Sequence, residues 1–307
     1  MTRCPICDCF TQGLACEGCG ANAAPDALAP VLASLRDSCA RGLLPGAALP
    51  ARSLDAYALR MGYLRRRPLL ERWLRRPIGL AARVIPIAPA RGLELAVMSR
   101  ASEADAVCAL ALHLGTSLDA ACVLFDTADQ AVLTRLRRQL QEAAPRVDWA
   151  VAGRAFDRNF GAQRSALQRL ARRPWTLHLD TDERVNPAFY LWLGGLAAAM
   201  AHTDVEAVSL RRLNRVDGAP TRHWPDYVPR LIKRPILFRN AVHEVPDITH
   251  WRRMLLCPRG YIEHFIDGAR LPVRDALYAE INPDTVKGAE PERLRQPLDV
   301  PLDSLDS

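Results

Sequence analysis

The chain has 307 residues, 49% of them apolar and 24% charged, and its 41 Lys and Arg against 34 Asp and Glu give a net charge of +7. That balance excludes a low-hydrophobicity disordered chain and fits one large domain with appendages, or two domains. No apolar run reaches the roughly 18–20 residues that span a bilayer. The nearest, Phe189 to Ala201, directly follows Asp180, Asp182 and Glu183 and reads as a buried helix.

Five of the nine cysteines fall in the first nineteen residues. Cys4-Pro-Ile-Cys7 and Cys16-Glu-Gly-Cys19 form two CxxC units, a spacing that closes a tetrahedral Zn²⁺ site from four thiolates, with Cys9 as a substitute ligand. Residues 1–20 are thus expected as a zinc-ribbon-like knot stabilised by its metal; a redox-active or unstructured cysteine cluster is the alternative. The amino terminus lacks the basic-then-apolar pattern of a secretion signal, so the expected location is the cytoplasm. Residues 21–90 read as a linker and a basic helical segment. Arg60, Arg65, Arg66, Arg67, Arg72, Arg75 and Arg76 interleave there with Leu and Trp, and Pro68 and Pro77 break the stretch. Such a face could meet nucleic-acid phosphates or a membrane surface.

After Gly92 the pattern alternates between strands and helices. Leu93–Met98 is expected as a strand, 103–114 as a helix, Ala121–Phe125 as a strand ending at Asp126, 131–143 as a helix and 147–151 as a strand. Helical spacing then runs over 159–172. Trp175, Leu177 and Leu179 alternate with Thr176 and His178 as in a half-buried strand, and Pro187 opens an apolar helix. This order predicts an α/β fold with a mostly parallel sheet flanked by helices, and ligands beyond the carboxyl ends of its strands. From about residue 281 to 307 the sequence is polar and ends acidic, and a disordered tail is expected.

Asp180-Thr181-Asp182 stands where the Trp175–Leu179 strand ends. Two carboxylates one residue apart at a strand terminus can hold a hard divalent cation, Mn²⁺ or Mg²⁺, which in turn binds diphosphate oxygens. The sequence 160–167 (FGAQRSAL), then 175–184 (WTLHLDTDER), resembles the central stretch of family 2 glycosyltransferases, where a helix bearing an Arg precedes a W-x-L-x-L-D-x-D-E strand. Residues 224–234 (WPDYVPRLIKR) are similar to that family's Y-x-D-x-x-x-R-L-F-R-R segment, and Val242-His243-Glu244 resembles the V-H-E element of its lipopolysaccharide-core-type members. The resemblance covers Leu93 to Tyr278, about six tenths of the chain. The run Met98 to Glu103 departs from the family's Lys-Asn-Glu pattern, and the loop after Asp126 lacks its Gly-Ser.

The resemblance implies a GT-A fold over 91–280 and inverting transfer of a sugar from a nucleotide-sugar, first of all a UDP-sugar, to a hydroxyl acceptor. It implies that Asp126 meets the base or ribose, Arg164 approaches the nucleotide, Asp180 faces ribose or metal, and Asp182 holds the metal, with His243 as a further ligand or an orienting group. Glu244 becomes the expected general base with Asp226 as its rival, while Arg230 and Lys233 would stabilise diphosphate charge. The competing readings are a zinc-containing nucleic-acid-binding protein, a DNA-directed glycosyltransferase, and a non-catalytic pseudo-transferase.

Overall fold

The computed structural model describes residues 87–201, 205–224, 226–248, 253–282 and 294–298, with the backbone of short strands at 2–3, 10–11, 43–45 and 84–86. Cys4, Cys7, Cys16 and Cys19 lie outside the described residues, as does the arginine-rich stretch from 60 to 76.

The first half of the fold follows the predicted alternation. Strand β1 (Glu94–Arg100) leads to helix α1 (Ala104–Leu114), β2 (Ala120–Asp126), α2 (Gln130–Ala143), β3 (Asp148–Gly153), α3 (Phe160–Leu170) and β4 (Trp175–Leu179). Two helix starts have a polar cause: Asp129 accepts from the amides of Ala131 and Val132 at α2, and Asn159 accepts from Ala162 at α3. Next come β5 (Glu183–Val185) and α4 (Pro187–Ala199), whose N-cap is Asn186 and whose first residue is proline.

The remainder, which carries no strong helical period, forms β6 (Ala207–Val216), β7 (Ala219–Pro220), β8 (Asp226–Lys233), β9 (Phe238–Arg239), β10 (Val245–Pro246) and the long β11 (Met254–Ile266), closed by α5 (Leu271–Ile281). A nine-stranded sheet runs in the order β3-β2-β1-β4-β8-β6-β11-β5, with β7 beside β6. Strands β3, β2, β1 and β4 are parallel, as β-α-β connections require, whereas β8 joins β4 and β6 antiparallel. A parallel pairing of β6 with β11 then carries the sheet to β5.

Helices cover both faces of the parallel half. On one side Leu95, Val97, Val123, Phe125, Leu177 and Leu179 meet the buried leucines of α1, α2 and α4; on the other, Ala96, Cys122 and Leu124 pack on Leu167 and Ala171 at α3. Cys108, Cys122 and Cys257 are buried, the role their apolar surroundings suggest.

Two expectations are revised. Strand β4 is buried on both faces, because Thr176 and His178 point at α3 and find an internal partner there: the Oε1 of Gln168 lies 2.8 Å from the Thr176 hydroxyl and 2.7 Å from His178 Nε2. Part of the expected tail, residues 294–298, also pairs with the sheet. Leu294 is buried, Arg222 donates to the Gln296 carbonyl at 2.8 Å, and Leu298 donates to that of Pro220 at 3.0 Å, so backbone pairing and one apolar anchor hold residues 294–298.

Burial, reinforced by the positive charges of Arg164 and Arg230, depresses the His178 pKa well below its ordinary value of 6.5. The folded ring stays neutral where the unfolded one takes up a proton, so its stabilising contribution is complete above that value and is lost as pH falls below it. Urea unfolding at a series of pH values should show His178 adding a slope of up to about 1.4 kcal/mol per pH unit on the acid side. The excess slope should vanish in His178→Gln; equal slopes for the two proteins would refute this.

Candidate functional site

The chain leaves β1 towards β2 on one side and later returns to β4 on the other, so the parallel half has a switch point at β1. At its carboxyl edge Asp126 stands in register with Arg100, and the Asp180 to Glu183 turn follows β4.

That turn is tightly fixed. The Glu183 amide donates to the Asp180 carbonyl at 3.0 Å, and the Asp180 amide donates back to Glu183 Oε2 at 3.1 Å. Arg184 Nη1 donates to the Thr181 carbonyl at 2.8 Å, and the Phe265 amide on β11 to the Asp182 carbonyl at 2.9 Å. With its backbone held, Asp182 presents a side chain 52% exposed. Thr181 and Glu103 approach to 3.4 Å across the same edge.

Beneath the turn lies a chain of alternating charges. Arg164, buried on α3, donates from Nη2 to Asp180 Oδ1 at 2.9 Å and reaches Glu244 Oε1 from Nε at 2.9 Å and Nη2 at 2.7 Å. Arg230 places Nη2 2.6 Å from both Asp180 Oδ2 and Glu183 Oε1. Glu183, fully buried, also accepts from Arg212 Nη1 at 3.1 Å, and Arg212 clasps Asp226 Oδ2 through Nε at 2.8 Å and Nη2 at 2.6 Å. Burial alone would raise the carboxyls of Asp180 and Asp226. Arg164 and Arg230 around the first, and Arg212 with His223 around the second, override it and hold both well below the usual carboxylate range.

The segment carrying Glu244 is tied to the start of α3. Phe160 and Gly161 donate their amides to the Ala241 and Asn240 carbonyls at 2.8 and 3.1 Å, and Ser165 Oγ bridges both backbone groups of Phe238. Only glycine fits at 161, since a Cβ there would collide with the Asn240 carbonyl. Glu244 is 16% exposed, and its two bonds from Arg164 engage Oε1. Tyr278 of α5 lies nearby, its hydroxyl pushed up to about 12 by burial and by the Glu244 charge.

Several sequence expectations converge here and several do not. Asp180, Arg164 and Glu244 form one hydrogen-bonded group, and Asp182 follows Asp180 on the same turn. Asp126 ends β2 with Oδ1 accepting from the Phe156 amide at 2.6 Å, its side chain still exposed. Arg230, expected to meet diphosphate, is instead buried between two carboxylates. Asp226, the rival base, has one oxygen enclosed by Arg212 and Asn214, and so large a depression of its pKa makes it a poor proton acceptor. Lys233 pairs with Trp175 at the opposite end of β4. Five residues of strand separate that point from Asp180, roughly 16 Å. His243 is exposed, with φ of 51° and its ring 5.3 Å from Tyr278.

The imidazole beside Asp182 belongs to His264, whose Nε2 lies 3.5 Å from Asp182 Oδ2. Sequence reasoning missed it, along with Glu183, Arg212 and Asn214; the signal was the Arg212-x-Asn214 spacing, which puts both side chains on one face of a strand. An oxygen and an imidazole donor together suit a divalent cation that keeps other positions for phosphate oxygens. Among the described residues no group of three or more His, Cys, Asp or Glu side chains is arranged to hold a metal, so the pair is a partial ligand set. Nor is any helix there long and apolar enough to cross a membrane.

No protein-family profile and no curated protein sequence matches the chain. Among solved structures it is similar to S. aureus TarS in complex with UDP-GlcNAc (TM-score 0.38, 12% identity, 66% of this chain and 70% of that one). It is also similar to TarS in complex with UDP (TM-score 0.36, 11% identity, 66% and 69%). A third is the mannosyltransferase PcManGT from Pyrobaculum calidifontis in complex with GDP-Man and Mn²⁺ (TM-score 0.33, 14% identity), which matches 41% of this chain and 38% of its own. Likeness at this level leaves the chemistry to be argued from the residues of the site.

Proposed function

We propose that the chain is an inverting glycosyltransferase that moves a sugar from a nucleotide-sugar, a UDP-sugar first of all, to a hydroxyl acceptor. The observation that carries this reading is the convergence at one sheet edge of Asp182 beside His264 and of Asp180 with Glu244 on the shared Arg164. The order of the motifs in the sequence supports it independently.

Asp182 and His264 would hold a divalent cation, which when bound neutralises charge on the departing nucleoside diphosphate. Asp126 accepts hydrogen bonds from the base or ribose with the oxygen that Phe156 leaves free. Glu244 takes the proton of the acceptor hydroxyl as its oxygen bonds to the anomeric carbon, while the bond from that carbon to the diphosphate oxygen breaks with its electron pair. Arg164 holds the carboxylate through Oε1, which orients Oε2 for that transfer. Asp180, saturated by two guanidinium groups, sets the position of Asp182 and takes no proton.

A donor-hydrolysis screen of the purified protein against UDP- and GDP-sugars, with Mn²⁺, Mg²⁺ or chelator, tests the reading. Cation-dependent turnover of at least one donor is expected, together with a drop of about 10²–10⁴-fold in Glu244→Gln at little change in donor affinity. No binding or hydrolysis of any donor would refute it. The same preparation should retain about one Zn²⁺ per chain if Cys4, Cys7, Cys16 and Cys19 form the knot that their spacing suggests.

A further inference from the structure

The buried amide of Asn214 has a role that the proposed reaction does not yet explain. It is 1% exposed and stands on β6 in register with His264 of β11, which in turn is in register with Glu183 of β5. Its Nδ2 lies 3.3 Å from the His223 carbonyl and 3.2 Å from Asp226 Oδ2, and its Oδ1 lies 2.7 Å from His264 Nδ1.

These contacts leave one consistent orientation of the Asn214 amide. A backbone carbonyl can only accept, and so can a carboxylate oxygen already clasped by the Nε and Nη2 of Arg212. Both therefore require the NH₂ side of the amide. The carbonyl oxygen must then face His264, and a carbonyl oxygen requires an N–H opposite it. The proton of a neutral His264 ring is thereby placed on Nδ1, and the lone pair on Nε2 faces the Asp182 carboxylate 3.5 Å away. Two electron-pair donors facing each other across such a gap repel unless a positive charge lies between them.

We propose that Asn214 is a positioning residue that fixes the tautomer of His264, with the Nε2 lone pair turned towards Asp182, so that the two side chains present a ready-made donor pair to a divalent cation. The inference rests on the cation-dependent reading of this site, and goes beyond it by assigning the orientation of the histidine to a residue that touches neither cation nor substrate. The fixed order is Arg212 to Asp226, Asp226 to Asn214, and Asn214 to His264. Groups outside the ligand pair thus determine the donor that the pair offers.

Long-range ¹H–¹⁵N correlation spectra of the full chain at about pH 8, where histidines are ordinarily neutral, read the tautomer directly. His264 is identified by the signal missing in His264→Gln. The expected result is a protonated Nδ1 and an unprotonated Nε2 in the wild type, a pattern lost in Asn214→Leu. Calorimetric titration with Mn²⁺ should show about 10–100-fold weaker binding by Asn214→Leu than by the wild type. A wild-type spectrum with the proton on Nε2 would overturn the inference whether or not the variant folds, as would equal Mn²⁺ affinity in wild type and folded Asn214→Leu. Failure of the wild type itself to bind Mn²⁺ would instead overturn the cation reading, and the metal role of Asn214 with it.

Discussion

Asp182→Ala is expected to lower cation-dependent donor turnover by about three powers of ten while leaving the fold intact. The charge stabilisation that a bound cation supplies is several kcal/mol, and each 1.36 kcal/mol is a factor of ten in rate. On the proposed reading Asp182 would contribute that support from a half-exposed side chain whose backbone, rather than its carboxylate, holds the turn in place. An exposed substitution of this kind changes stability by no more than about 0.5 kcal/mol, so the melting temperature should move by roughly 1–2 °C. Adding Mn²⁺ should stimulate the wild type and leave the variant at its basal rate. A variant that keeps wild-type turnover under saturating donor would remove Asp182 from the reaction.

The second large effect falls on stability. Glu183 is enclosed between Arg212 and Arg230 and also accepts from the Asp180 amide. Glu183→Ala removes the buried carboxylate shared by Arg212 and Arg230, which keep only Asp226 and Asp180, and leaves the Asp180 amide without its acceptor; breaking a buried ion pair from one side costs about 3–5 kcal/mol. Chemical denaturation should show a midpoint shift of that size at unchanged slope, with a melting temperature lower by about 10 °C. Glu183→Gln keeps the shape and one acceptor, so its loss should be smaller. If Glu183→Ala lost less than about 1 kcal/mol, the charge chain would not be the support described here.

The contrast between Asp182 and Glu183, neighbours in sequence, illustrates what a sequence can and cannot disclose. Strand β4 and the acids that follow it were legible because the alternation from Trp175 to Leu179 is local and strong. So were the helix starts at Asn159 and Pro187, and the termination of β2 at Asp126. The roles of individual charges were not, because they depend on pairings between distant strands. Lys233 fell at the wrong end of the sheet once β8 proved antiparallel to β4. Arg230 looked like a free cation until Asp180 and Glu183 closed around it. His264 came to Asp182 only through the register of β11 with β5 and β6, set across some 50 to 80 residues of chain, whereas His243, beside the more conspicuous Glu244, turned towards Tyr278. The pairing of residues 294–298 was missed for a similar reason: a short segment with one apolar anchor pairs only when a distant edge offers it backbone partners.

The first amides of α3 have a further consequence. In many nucleotide-binding folds the amino end of such a helix, with its unpaired amides and partial positive charge, receives the phosphates directly. In this chain the carbonyls of Ala241 and Asn240 already occupy the Phe160 and Gly161 amides, and the side chain of Asn159 takes that of Ala162. The dipole that could have greeted an anion fastens a loop instead, and the guanidinium groups beneath it are likewise engaged with carboxylates. On the proposed reading, an incoming diphosphate would find Arg164 and Arg230 already committed to carboxylates, and would rely on the cation that Asp182 and His264 would hold.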